Sequence, residues 1–113
     1  MKAENGFGLT TSINPLWTQL EKQGYANISK AAQEIQSQGA IKLIEVDLNI
    51  WGYQLLGQKK FDRAMRVFTL NTQVFPASAN TYDSLAEAYW LIGNSKKAIE
   101  LYNKVLALKP DNN

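Results

Sequence analysis

The 113-residue chain contains neither cysteine nor histidine. Without thiolates or imidazoles there are no disulfides, no ordinary structural zinc site and no histidine-based catalysis. The absence of cysteine suits the cytosol and the periplasm equally. Long apolar runs are missing too, and nothing approaches the roughly 18 residues that a membrane-spanning helix needs. Met1 to Thr10 lacks the apolar stretch of a signal peptide, which says little about compartment because a leader can be removed. Charge is scarce: 12 basic residues against 10 acidic ones leave +2, too little to argue for nucleic acid or an acidic membrane surface. There is no glycine-rich phosphate loop, no G-x-S-x-G elbow and no S-x-x-K nucleophile pattern. Nothing calls for a cofactor, a metal or a catalytic role, so the expectation is a non-enzyme.

What the chain does have is 45% hydrophobic and 11% aromatic residues, enough for a core. At this length one domain buries about two-thirds of its unfolded surface. Residues 1–13, rich in Gly, Thr, Asn and Ser, read as a flexible lead-in, and 14–113 as a single domain. Asn14-Pro15 looks like a helix start, with Asn as cap and Pro in the first turn. Leu16, Trp17 and Leu20 form a short apolar stripe that stops at Gly24. Asn27 or Ser29 opens a second helix with Ile28, Ala31, Ala32 and Ile35 on one face. A third helix runs from about Ile41 to Leu56 through Ile44, Leu48, Trp51 and Leu55. A fourth spans about Lys59 to Val74 with Phe61, Ala64, Met65 and Phe68 inward. A fifth runs from about Ser78 to Gly93, a residue suited to a left-handed cap. Ser95 then caps a sixth, whose inner stripe is Ala98, Leu101, Tyr102 and Val105. With no strand-like alternation, the fold class is all-α with about six helices.

The last four helices repeat. Pro76 and Pro110 lie 34 residues apart, each closing the same pattern of large and small residues. Before Pro110 stand Tyr82, Leu85, Ala86, Tyr89, Ala98 and Tyr102; before Pro76 stand Leu48, Trp51, Gly52, Leu55, Ala64 and Phe68. This period and order resemble the tetratricopeptide repeat. The resemblance implies stacked antiparallel helical hairpins with a right-handed superhelical twist, and protein binding in place of chemistry. Gly52, Ala86, Ala64 and Ala98 would then be small where helices approach closely. Trp51, Leu55, Phe68, Leu85, Tyr89 and Tyr102 would fill the space between helices. In these terms 41–76 and 77–110 are repeats and 14–40 is a degenerate hairpin. The chain departs from the family pattern at Leu48 and Trp51. The turn glycine expected in the first repeat is displaced to Gly57.

Tetratricopeptide modules hold extended peptides or helices along the inner face of the first helix of each hairpin. That implies a concave partner-binding surface of Asn49, Tyr53 and Leu56 with Asn80, Asp83, Ser84, Glu87 and Trp90. Tyr53 and Trp90 would be aromatic anchors. Asp83 and Glu87 share a helix face but have no third ligand at metal spacing, so they suit a basic or amide-rich partner. The clamp for chaperone C-terminal carboxylates needs lysine and arginine here, which only Asn49 and Asn80 partly replace. RNA-reading repeats need a basic groove, which Asp83 and Glu87 oppose. Asp62/Arg66 and Glu100/Lys104 read as surface pairs, Lys59-Lys60 and Lys96-Lys97 as turn markers, and Asn27-Ile28-Ser29 as a chance glycosylation pattern.

Residues 48 to 89 also resemble the helical tail of some bacterial β-lactamase-like and esterase serine hydrolases. The resemblance rests on Leu48-Asn49, Gly52-Tyr53, Leu55-Leu56, Phe68-x2-Asn71, Phe75-Pro76, Ser78-x-Asn80 and Tyr82-Asp83-Ser84-Leu85-x-Glu87. It implies an alternative, an accessory or oligomerisation domain of such an enzyme. A final expectation concerns the end of the stack, since repeat arrays usually finish with a polar-faced capping helix. Only Asp111, Asn112 and Asn113 follow Pro110, which leaves Ala88, Ile92, Ile99 and Leu106 uncovered. The matching residues one repeat earlier are Gln54, Gln58, Met65 and Thr72. An exposed aliphatic end of this kind marks a contact, with a homodimer through the C-terminal hairpin as one form.

Overall fold

A computed structural model describes residues 13–39 and 42–109. Among these, the chain forms six helices and no strand: α1 (Asn14–Gln23), α2 (Ile28–Ser37), α3 (Glu45–Gly57), α4 (Phe61–Val74), α5 (Ala79–Leu91) and α6 (Ser95–Leu108). Pro110 and Ile41 lie outside the described residues, as does nearly all of the expected lead-in. Its last member, Ile13, does not fit that expectation. It is fully buried, and its carbonyl accepts the first helical hydrogen bond, from the Trp17 amide at 2.9 Å. The cap of α1 is therefore Ile13, one residue earlier than Asn14.

Short turns force consecutive helices to pack as neighbours. α3 packs on α4 and α5 on α6, α5 leans back on α4, and α3 touches α5. α1 packs on α2 as well, and the exception is the step from this first hairpin to the next. α2 reaches α4 and makes no comparable packing with α3, unlike α5 against α4. Its attachment is partly polar and aromatic: Arg63 pairs with Glu21 at 3.1 Å and stacks over Tyr25, whose ring is 6.1 Å from that of Trp51.

The two turns inside the repeating hairpins are superimposable in their hydrogen bonds. After α3, the Lys60 amide donates to Leu55 O at 2.9 Å and the Lys59 amide to Leu56 O at 3.0 Å. After α5, Asn94 donates to Tyr89 O at 2.9 Å and Gly93 to Trp90 O at 3.1 Å. This closure needs a left-handed residue, supplied by Gly93 (φ 91°) and, against expectation, by Lys59 (φ 63°). Gly57 is still helical and plays no part in the turn. α6 is capped by Asn94, not Ser95: its side-chain oxygen accepts from the Lys97 amide at 3.1 Å.

Between the helices of the repeats, the small residues are buried. Ala64, Ala86 and Ala98 are fully buried. A Cβ built on Gly52 would lie 2.5 Å from the Phe68 ring. That ring is fully buried and is met edge-on by Tyr53 at 5.0 Å, so it has nowhere to retreat. Trp51, Leu48 and Leu55 complete this part of the core. Three apolar residues expected inward are on the surface instead: Ile44 at 44%, Phe61 at 43% and Tyr102 at 36% exposure. Ile44 and Phe61 flank helix starts, and Tyr102 belongs to the last helix, with no following hairpin among the described residues. Asp62 and Arg66 pair as expected at 3.1 Å. Glu100 pairs with Lys97 at 3.8 Å, while Lys104 lies over the Tyr82 ring.

Candidate functional site

The first helices of the two repeats, α3 and α5, lie side by side and present one face together. Tyr53 on α3 and Glu87 on α5 occupy the same place in successive repeats, 34 residues apart, and the Tyr53 hydroxyl donates to Glu87 Oε1 at 2.6 Å. Burial of the phenol, reinforced by Glu87, pushes the Tyr53 pKa up to about 12, with Ser84 pulling the other way. The Glu87 carboxylate keeps acceptor capacity beyond this one bond. Asp83 is one turn away on α5 and exposed. Tyr102 of α6 joins this neighbourhood. Its own ionisation is raised by slight burial and by Asp83 and Glu87. The sequence suggested a space-filling role for Tyr102, yet it contributes a phenol to an acidic surface.

At one end of the face, Asn80 and Ser78 both turn to Glu45. Ser78 donates to Glu45 Oε2 at 2.8 Å and Asn80 at 3.5 Å. Glu45 opens α3, where a negative charge also complements the helix dipole. Asn71, almost fully buried, donates to the Glu45 carbonyl at 3.1 Å and ties the end of α4 to the same point. Asn49 is half-buried, with its side-chain oxygen enclosed by protein. At the other end Trp90 is 57% exposed. The spacing Asn80, Asp83, Glu87, Trp90 keeps these four on one helical stripe.

Two residues of the face were missed by sequence reasoning. Val46 and Ile50 are 57% and 49% exposed and share a stripe with Asn49 and Tyr53 on α3. A signal for them existed: counting back 34 residues from Asn80 and Ser84 lands on Val46 and Ile50. Ser84 is buried because α3 lies beside it, whereas α1 makes no such contact with α3, so Ile50 stays open.

The face is an open surface, with a shallow depression of about 380 Å³ at its Glu45–Ser78 end, bordered also by Phe75 and Pro76; two others lie away from it. One of about 350 Å³ sits between α2 and α4, bordered by Ile28, Met65, Arg66 and Tyr89. Another of about 340 Å³ lies at the α1–α2 turn. The first also carries Asp62 and Ser29 and the second Lys30 and Glu34, a single carboxylate in each. Among the described residues no three metal-ligating side chains come together, and no helix is long and apolar enough to cross a membrane.

Residues 79–112 match the family model for the tetratricopeptide repeat. This segment is a tetratricopeptide repeat. α3 and α4 carry the same turn geometry and buried small residues at the matching positions one period earlier, so the architecture is an all-helical repeat of hairpins. The repeat brings with it a general expectation of protein partners. Comparison with curated proteins and with solved structures gave no match.

Proposed function

We propose that the chain is a non-catalytic interaction module that holds a peptide or protein segment against the α3–α5 face. The observation that carries this reading is the exposed stripe of Asp83, Glu87 and Trp90 beside the Tyr53–Glu87 hydrogen bond. The bond pins one edge of the carboxylate and leaves the other to a donor. A matching ligand brings lysine, arginine or amide groups to Asp83 and Glu87. It also brings an apolar side chain to Val46 and Ile50, or to the indole of Trp90. Asn49 and Asn80 border this path.

Two pools of short peptides separate this from a bland surface, one rich in Lys and Gln with Leu, the other with Asp and Glu in place of the basic residues. Monitored by NMR, the basic pool is expected to shift the Glu87 amide and the Trp90 indole signals, and Glu87→Lys to abolish the response. For a peptide isolated from that pool, Trp90→Ala is expected to weaken binding by about 2 kcal/mol. Equal response to both pools, or shifts confined to α1 and α2, would refute the assignment.

A further inference from the structure

Ten large apolar side chains are exposed among the described residues, and six of them lie on the last hairpin: Trp90, Leu91, Ile92, Ile99, Tyr102 and Leu106. Ile99 and Leu106 are seven residues apart, hence on one face of α6, at 55% and 59% exposure. The preceding repeat shows what this face is shaped to receive. Met65 and Thr72 hold the same places on α4, where Met65 is half-buried and Thr72 only 8% exposed, because α5 packs there. Thus α4 presents a threonine to a helix that covers it, while α6 presents isoleucine and leucine with no helix over them among the described residues. Ala88, expected to belong to this open end, is fully buried in the core shared with the preceding hairpin. Its small side chain faces back into the stack.

The charges around the face indicate its occupant. Asn103 lies between Ile99 and Leu106 and is uncharged, and an amide can both donate to and accept from its own copy. Glu100 and Lys104, both exposed, lie beside it one turn apart with opposite signs; each has only a loose partner within the chain, Lys97 at 3.8 Å and the Tyr82 ring at 5.6 Å. An antiparallel copy of α6 across a two-fold axis sets Ile99 against the partner's Leu106. Asn103 then meets the partner's Asn103, and Glu100 lies beside the partner's Lys104. The surface is complementary to itself, as an isologous contact requires. We infer that the outer face of α6, with Ile92 at its edge, is a homodimer contact and that a second copy of this chain covers it.

Light scattering after size exclusion, over a concentration series, tests this on the parent and four variants. The parent is expected to approach twice the monomer mass. Ile99→Lys/Leu106→Glu places unpaired charges in an apolar contact and is expected to weaken association about 100-fold or more. Its circular dichroism should match the parent because both side chains are exposed. Glu100→Lys and Lys104→Glu are each expected to weaken association about threefold, and the two together to restore it. The exchange keeps the test valid if the double apolar variant misfolds. A parent that stays monomeric up to about 1 mM overturns the inference and leaves the face to a different protein or a following segment. So does mass growing past two copies, or a dimer that survives Ile99→Lys/Leu106→Glu in folded protein.

Discussion

The hairpins α3–α4 and α5–α6 use the same 34-residue frame, yet equivalent positions meet opposite fates. Phe68 is fully buried and its counterpart Tyr102 is 36% exposed. Thr72, a polar residue, is buried, whereas its counterpart Leu106, an apolar one, is 59% exposed. Residue type alone would order the second pair the other way. The order follows position in the stack: α5 covers α4, and among the described residues no helix covers α6 in the same way. In a stacked fold, burial belongs to the pair of neighbouring units and only secondarily to the residue.

The largest expected difference between the hairpins is in aromatic truncation. Phe68→Ala is expected to cost about 3–5 kcal/mol, while Tyr102→Ala in the same register costs about 1 kcal/mol. Urea denaturation of both variants measures the gap, and equal losses would contradict the covering argument. Overpacking comes next. Gly52→Ala drives a methyl into the Phe68 ring and is expected to cost about 1–3 kcal/mol, as is Ala98→Leu at the matching small-residue crossing of the last hairpin. Pairing Gly52→Ala with Phe68→Leu should recover part of the first loss. An unchanged denaturation midpoint for Ala98→Leu would count against the repeat register.

A smaller effect sharpens the comparison of the two turns. Lys59 holds a left-handed conformation that glycine holds at position 93, so Lys59→Gly is expected to stabilise the protein by about 1 kcal/mol. Gly93→Ala is expected to destabilise it by a similar amount, and thermal melts read both. The smallest effect is in ionisation. Because the folded-state pKa of Tyr53 is raised to about 12, the unfolded chain loses this proton first as pH rises. The contribution is therefore fully present below the ordinary phenol pKa of about 10 and is lost as pH climbs through the folded value. Difference absorbance against Tyr53→Phe isolates the titration. Burial is its main cause and Glu87 a lesser one, so Glu87→Gln is expected to move it only part of the way down.

Much of the repeat could be read directly because its signals are local. The small residues Gly52, Ala64, Ala86 and Ala98, the cap glycine Gly93 and the helix-ending Pro76 each answer a steric demand that recurs after 34 residues. Where reading failed, the chain had met that demand by another route. A lysine took the left-handed position at 59, because the surrounding turn hydrogen bonds hold it there. Asn94 capped α6 where Ser95 was expected, as either residue type serves and one position separates them. On the candidate face, Tyr53, Asp83, Glu87 and Trp90 were legible as positions. The pairing of Tyr53 with Glu87, and of Asn80 and Ser78 with Glu45, was not.

The sequence by itself therefore determined that this protein is helical, that its last two hairpins repeat, and which small residues are buried between their helices. Those properties follow from side-chain size and backbone conformation within a single hairpin. Only the tertiary structure decided that Ile13 enters the core, that α2 docks on α4, and that Ala88 faces inward. It also decided that Val46 and Ile50 stay open while Thr72 is covered. Each of these depends on how one hairpin sits on the next. Such docking sums many weak apolar contacts between residues distant in sequence, and no local spacing pattern encodes that sum.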